Sequence, residues 1–432
     1  MLWQKDVRVA DWVTRFTVGD DYRWDTLLLP YDIEGTRVQA WSLARIGILT
    51  KHELRDVEAA LLDMERIVAA GEIGVRPEDE DCHTVIERYL TERLGDVGKK
   101  IHTGRSRNDQ VLVALRLFLR DQVRESARKA ADVARVLCGF GERYDRLLMP
   151  GYTHLQRAMP ATVGLWAMGY AELLAADVDA MRHAFDQVNV SPLGSAAGYG
   201  VPYLELPRDD AAERLRFDGV QTHVTAVQLS RGKLELHVVH ALVQAAATLN
   251  RLASDLVLFN TAEFGFVALP AEYCTGSSIM PQKQNPDVLE LARASYHRLV
   301  AEMHVLLTLP ANLPSGYHRD LQLTKEAAMR AALLSGDLLT AMQNLLPGVR
   351  FDEERLRAAA TPELYATAHA LELVQQGVPF REAYRRAAAD VGSLAAPDVE
   401  AALAPYLVPG YPGRVRPELV LEALARHDDW LG

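Results

Sequence analysis

Cysteine is scarce in this sequence: three residues, Cys82, Cys138 and Cys274, are scattered over 432 positions. Their number is odd and no CxxC pair occurs, which argues against a disulfide framework and against a structural zinc centre. Long hydrophobic runs are missing too. No stretch approaches the roughly 20 apolar residues of a membrane span, and the opening MLWQKDVRVADWV has no apolar segment of the kind a signal peptide needs. Basic residues are outnumbered 47 to 58, giving a net charge of −11. There is no Lys/Arg-rich run, and an acidic surface repels phosphate backbones, so neither nucleic acid nor a membrane is an expected partner. Common ligand signatures are also absent, namely G-x-G-x-x-G opening a βαβ unit, G-x-x-x-x-G-K-[ST] and H-E-x-x-H. The glycine-rich stretch from Gly194 to Gly200 lacks the dinucleotide-binding spacing. What remains is an expectation of a cytoplasmic protein acting on a small molecule. An anionic ligand would have to be held by a local cluster of donors against an acidic overall field.

What is present reads as helix. Hydrophobic residues make up 49% and charged residues 24%, a globular balance. The length exceeds what one core usually supports, so two or three domains are expected. From Gln110 to Met149 no proline occurs and only Gly139 and Gly141 interrupt; a helix of about 35 residues would be on the order of 50 Å long. Further proline-free runs cover 161–190, 221–262, 287–308 and 321–345. Strand signals are nearly absent. The fold class is therefore all-α, with an elongated central bundle. We expect a mostly helical N-terminal domain at 1–101, the bundle at 102–348 and a small helical C-terminal domain at 349–432. Within the first, Trp3 to Pro30 reads as irregular, with a turn at Gly19-Asp20-Asp21. Helical spacing of Ile33, Val38, Trp41, Leu43 and Ile46 follows, ending at Gly47. Thr50 and Glu53 form a capping box for a helix running to about Ala70, and Pro77 to Asp81 is an acidic loop. Glycine and proline gather in the connections Pro150-Gly151, Pro192 to Pro202, Gly276 to Pro286 and Pro310 to Gly316, the places where chemistry is usually mounted.

Several of those connections carry unusual equipment. Gly276-Ser277-Ser278-Ile279-Met280-Pro281-Gln282-Lys283-Gln284-Asn285-Pro286 packs hydroxyls, a lysine and an amide into one loop. Its small residues let backbone N–H groups approach an anion, and Asn285-Pro286 looks like a helix cap followed by proline at the first helical position. A plain polar loop would be the bland alternative. His102-Thr103-Gly104-Arg105-Ser106-Arg107-Asn108-Asp109-Gln110 sets two guanidinium forks and an amide beside a helix start, good equipment for carboxylates or an ordinary charged cap. Pro150-Gly151-Tyr152-Thr153-His154-Leu155-Gln156 holds a single histidine, which by itself is more often structural than catalytic. His83 and Glu87 in Asp81-Cys82-His83-Thr84-Val85-Ile86-Glu87 lie one helical turn apart. With no third or fourth ligand evident, a buried hydrogen bond or a substrate contact is preferred to a metal site. Leu313 to Gln322 and Gly377 to Ala383 complete the set.

These strings resemble one family. Gly276 to Pro286 fits the G-S-S-x-M-P-x-K-x-N-P signature of the fumarase/aspartase superfamily at every fixed position. His102 to Gln110 is similar to the H-[ST]-G-R-S-R-N-D-Q of the argininosuccinate lyases, and Pro150 to Gln156 to their P-G-Y-T-H-L-Q. The resemblance runs from about Trp12 to Ala383. It departs at Trp12-Val13-Thr14-Arg15-Phe16, at Gln228 to Lys233, at His318 where asparagine is common, and at Ala366 to Ala370. It implies reversible β-elimination of argininosuccinate to arginine and fumarate, with no metal and no cofactor. It assigns Ser277 as base, His154 as acid oriented by Glu290, and Lys283 with Asn285 and the Gly276–Ser278 amides as stabilisers of the carbanion. Ser106, Arg107, Asn108 and Thr153 would hold the succinyl carboxylates, and Ser278 and Asn285 also count among the substrate-binding residues. Tyr317, Gln322 and Lys325 would sit near the arginine portion, and His83 and Arg231 join the binding set. A homotetramer with a twenty-helix core and sites built from three chains is implied as well. A lyase of another N-substituted aspartate, or a non-catalytic helical scaffold, stands as the alternative.

Overall fold

The structure, a computed structural model, describes residues 10–432; the expectations for residues 1–9 lie outside it. Besides a 25-residue helix at Asp21–Arg45, five long helices dominate: Arg107–Tyr144, Val163–Val188, Lys233–Phe259, Asp287–Thr308 and Leu323–Leu345. The proline-free runs located all five. One shortens: the run at 221–262 becomes helix only from Lys233. Before it come a short strand at Gly219–Val220, a short helix at Val224–Leu229 and a break at Gly232. Gly232 has φ +80°, and a Cβ there would stand 2.6 Å from Pro310 Cγ, so only glycine fits. The chain divides into two compact units, and the division falls within each of the five helices. One unit comprises residues to Arg124, Met181–Leu242 and Leu299–Leu333; the other comprises Glu125–Ala180, Val243–Arg298 and Leu334–Gly432.

In the first unit the described part of the stretch read as irregular is helical on either side of the expected turn at Gly19-Asp20. Helices span Asp11–Val18 and Asp21–Arg45, and Pro30 lies inside the second. An interior proline loses one hydrogen bond and crowds the preceding turn, roughly 3 kcal/mol. Leu28, Leu29 and Ile33 flank it and are all fully buried, and burying a leucine or isoleucine contributes about 1.5–3 kcal/mol each. Burial therefore decides the outcome. The Thr50 capping box is formed: Glu53 N donates to Thr50 Oγ1 at 3.2 Å and Thr50 N to Glu53 Oε2 at 2.7 Å. The acidic loop contains a single 3-10 turn at Pro77–Asp79, after which Asp81 caps Cys82–Leu94 by accepting from Thr84 N at 2.8 Å. A core of Val38, Val113, Leu117, Leu193, Leu215 and Phe217 ties these pieces together.

The second unit contains a β-hairpin that the sequence reading did not anticipate. Leu148–Thr153 pairs antiparallel with Gln156–Thr162, and Thr153 faces Gln156 across a two-residue turn of His154 and Leu155. Both turn residues have positive φ, 52° and 57°, as the turns favoured in tight hairpins require. The other described strands are two residues long, so the all-α class holds. Phe140, Tyr144, Trp166, Phe259 and Phe351 pack edge to face or tilted. Trp166 and Tyr170 both donate to Asp255 Oδ2, at 2.9 and 2.7 Å. Among the described residues, no helix is long and apolar enough to cross a membrane.

Candidate active site

The first unit gathers most of the residues expected to bind substrate. His83, Arg107, Asn108, Arg231, Tyr317, Gln322 and Lys325 line one cleft of about 560 Å³, open mouth included. Ser106 lines the adjoining hollow together with Arg107, Asn108 and Tyr317. The floor holds acids that sequence reasoning missed. Lys325 is buried and donates to Asp21 Oδ1 at 2.8 Å and Asp25 Oδ1 at 2.9 Å. Burial works against the ammonium, but the two carboxylates outweigh it and hold its pKa above the ordinary lysine range. Burial pushes Asp25 above the usual carboxylate range even though Lys325 pulls it down. Asp21, Asp25 and Asp32 sit on the helix at intervals of four and seven residues. That spacing puts all three on one face, but the face stayed hidden while Pro30 was read as a helix break.

Asp32 lies behind His83. The imidazole Nδ1–H donates to Asp32 Oδ2 at 2.6 Å, and Gln110 Nε2 donates to both Asp32 oxygens at 2.9 and 3.0 Å. Burial alone would strip the proton from His83; attraction to Asp32 and their hydrogen bond overcome it and raise the pKa. The same partnership holds Asp32 below its usual range against its own burial cost. This is the buried hydrogen bond expected of His83, made with Asp32 and not with Glu87. Asp32, Cys82 and His83 bring three donor atoms within 4.8 Å of one another, yet they do not fit a resident metal. Ligands around a tetrahedral ion sit roughly 3.3 Å apart, the Asp32–His83 separation is that of a hydrogen bond, and burial keeps the Cys82 thiol well above its usual pKa.

Arg107, expected to hold substrate carboxylates, is held by the protein's own: Glu80 at 3.1 Å and Asp81 at 3.0 Å, with Thr84 Oγ1 at 3.0 Å. Glu80 is non-glycine at φ 72°, a strained backbone of the sort that clusters at sites. Asp109 is the hub of the neighbouring strip. It accepts from the backbone amides of Ser106, Gly194 and Ala196 at 2.9, 3.1 and 2.9 Å, and burial pushes it up to about 6. The glycine-rich segment thus serves to bring its amides onto Asp109.

The second unit holds the residues expected to do the chemistry. Ser277, Ser278 and Lys283 lie in a loop pinned at its base by the pairing of Thr275–Gly276 with Gln284–Asn285. Ser277 Oγ accepts from the amides of Ile279 and Met280 at 3.3 and 3.1 Å. Asn285 does not cap the following helix as expected. Its Nδ2 donates back across the loop to Gly276 O at 3.4 Å, and the helix begins at Asp287, whose carboxylate accepts from Thr275 Oγ1. Ser278, Lys283 and Glu290 are exposed, as are Thr153 and His154 at the tip of the hairpin. Among the described residues, no hydrogen bond joins His154 to Glu290.

Comparison with known proteins gives the class. A family model described as "Lyase" matches residues 15–300, so this is a member of that lyase family. The chain is 46% identical to an argininosuccinate lyase of Sorangium cellulosum, over 99% of this chain and 98% of that one. It is 43% identical to one from Thermotoga neapolitana, over 90% and 98%. The chain belongs to the argininosuccinate lyase family, within the fumarase/aspartase superfamily. Its fold is similar to that of EDDS lyase in complex with formate (TM-score 0.80, 23% identity, 98% of this chain and 92% of that chain). It also resembles a class II fumarase from Schistosoma mansoni (TM-score 0.74, 18% identity, 91% and 95%).

Proposed function

We propose that the protein cleaves argininosuccinate into arginine and fumarate by reversible β-elimination on its own side chains, in arginine biosynthesis. The observation that carries this reading is 46% identity to an argininosuccinate lyase along nearly the whole length of both chains. Ser277 takes a proton from the carbon next to a succinyl carboxylate. The electron pair is held as an aci-carboxylate by Lys283, Asn285 and the loop amides, an electrostatic role that is usually the largest single contribution. It then forms the double bond as the C–N bond breaks, and His154, oriented by Glu290, protonates the departing guanidino nitrogen. Ser106, Arg107, Asn108, Thr153 and Ser278 hold the succinyl carboxylates. Tyr317, Gln322 and Lys325 face the arginine portion, with His83 and Arg231 in the same wall.

A serine serves as base only in a dry, positive environment. Ile279 beside it is 83% exposed, and Lys283 and His154 face solvent in the single chain. That exposure supports a site completed by other copies in a homotetramer with a twenty-helix core, in which His154 and Glu290 meet across subunits. The division at 1–101, 102–348 and 349–432 would describe the parts of that assembly, and the cytoplasm would house it. The test is fumarate release followed by ultraviolet absorbance, with adenylosuccinate, aspartate and malate in parallel. Turnover of argininosuccinate alone is expected; fumarate from another substrate only, or from none, would overturn the reading.

A further inference from the structure

In the second unit, Arg143, Arg146, Arg350 and Arg357 surround one hollow of about 1110 Å³, open mouth included, and Glu353 is the single carboxylate in its lining. This concentration of cations runs against a net charge of −11 for the whole chain. Two of the four arginines have a role within the protein. Arg143 stands in the last turn of the helix Arg107–Tyr144, where it meets the negative end of the helix dipole. Its guanidinium carbon lies 5.1 Å from the centre of the Tyr144 ring. Arg146 pairs with Glu400, which is 82% exposed at the side chain. Arg350 and Arg357 have no ion-pair partner among the described residues. Even Glu353, one turn before Arg357 in the helix Glu353–Ala359 and so within reach of it, forms no pair with it.

Packing fixes the walls of this hollow. Leu148 belongs to a buried cluster with Ala360, Leu364 and Leu403, and Val399 packs against that cluster. Phe351, next to Arg350, packs edge to face on Phe140 and Tyr144, with 5.7 and 5.1 Å between ring centres. Arg350 is held further by the pairing of its strand, in which it lies opposite Ala268. Apolar walls set by the core thus adjoin guanidinium groups carried on separate stretches of chain. A hollow lined by one sign of charge focuses the field and concentrates counter-ions. Guanidinium forks match the oxygens of phosphate and carboxylate groups and grip them with paired hydrogen bonds. Cations on separate stretches suit an anion with more than one charged group.

We propose that this hollow is a binding site for a small polyanion bearing phosphate or carboxylate groups. It shares no residue with the sets assigned to catalysis and substrate binding, so it is independent of which substrate the chain cleaves. Arg350 and Arg357 supply the free donors. The bound anion ties the end of the long helix to the segment 350–357.

The experiment titrates diphosphate into the full-length protein by calorimetry at low ionic strength, with citrate as a second polyanion and melting temperatures measured alongside. The wild type is expected to bind saturably, to lose affinity as added salt screens the charges, and to melt higher with the anion present. Arg350→Gln/Arg357→Gln should weaken binding by roughly 10- to 100-fold, the range of a charged hydrogen bond, and should remove most of the rise in melting temperature. Arg381→Gln/Arg385→Gln takes the same charge from exposed arginines outside the hollow and should bind as the wild type does. Tighter binding of diphosphate identifies a phosphate ligand and tighter binding of citrate a carboxylate one; either supports the site. Absence of saturable binding of both anions overturns it. So does an unchanged affinity in Arg350→Gln/Arg357→Gln, or an equal loss in Arg381→Gln/Arg385→Gln. Should the first double variant fail to fold, Arg357→Gln alone decides, and an unchanged affinity in it overturns the site.

Discussion

Asp32→Asn is the sharpest test of the electrostatics beneath the cleft. Asp32 and His83 are 1% and 7% exposed at the side chain, with Oδ2 and Nδ1 2.6 Å apart. At an effective dielectric of about 20, that attraction amounts to about 6 kcal/mol before either ion's desolvation is subtracted. Breaking a buried pair by removing one partner typically costs about 3–5 kcal/mol, and Gln110 would lose one of its two acceptor oxygens as well. The sign of the pH dependence follows from the directions of the shifts. His83 is raised above 6.5 in the folded state, so its contribution is complete below pH 6.5 and is lost as pH rises through the folded value. Asp32 is lowered below 3.8, so its contribution is present above pH 3.8 and is lost on stronger acidification. In Asp32→Asn the imidazole keeps its burial and loses its main partner. Its pKa should fall below 6.5, and its contribution to stability should then increase with rising pH between about 5 and 7. Urea unfolding at fixed protein concentration across pH 5–8, with NMR titration of His83, reads both effects. A His83 pKa unchanged by Asp32→Asn would refute the reasoning.

Ser277→Ala should abolish fumarate release while circular dichroism and native mass stay as in the wild type; near-normal turnover would remove Ser277 as the base. Lys325→Met strands Asp21 and Asp25 and should cost about 3–5 kcal/mol in urea unfolding, whereas adding Asp25→Leu to it should recover part of the loss. A double variant no more stable than the single one would show that the charges are not the cause. Thr50→Ala removes one half of the capping box and should cost about 1 kcal/mol with no change in kcat/KM, because Thr50 lies outside the cleft. A change in turnover would connect that helix start to the site.

Much of this fold could be read from where proline is missing, because a long helix tolerates neither its ring nor its lost donor. That rule found the five long helices and failed at its exception. Pro30 sits mid-helix where Leu28, Leu29 and Ile33 are buried on either side. The cost of that one misreading was the acidic face of Asp21, Asp25 and Asp32, which governs the cleft. The hairpin escaped for a related reason. Its strands carry Pro150 and Pro160, which face each other in the register, and proline marks against a strand. Its turn is His-Leu, not the Asn-Gly that usually announces positive φ. Motif residues were found by type and order, but which of them share a cleft depends on contacts between distant segments. Lys325 and Asp25 are 300 positions apart, and no local spacing reports that pairing.

The two units solve opposite problems with their charges. In the first, Lys325, Arg107 and His83 are each held in place by carboxylates of the same unit. A cation held this way loses little side-chain entropy when a ligand arrives and keeps a fixed direction. Arg231 Nε and Nη1 and Asp25 Oδ2 are buried in the same unit without a hydrogen-bond partner. In the second, Ser277 shares its loop with exposed Lys283, and His154 stands exposed on a strained turn. A lysine in water exerts little field, since the same charge pair is worth about 1 kcal/mol at 4 Å in water and about 4 kcal/mol at a partly buried site. On the proposed roles, proton abstraction by Ser277 gains its strength only when the loop is covered, and the first unit's cleft has its charges already held. Substitutions in the first unit's cleft should thus act mainly on substrate discrimination, and substitutions in the Gly276–Pro286 loop mainly on kcat. Parallel kcat and KM measurements on Arg231→Met and Lys283→Met check this division; a loss confined to kcat in the first, or to KM in the second, would reverse it.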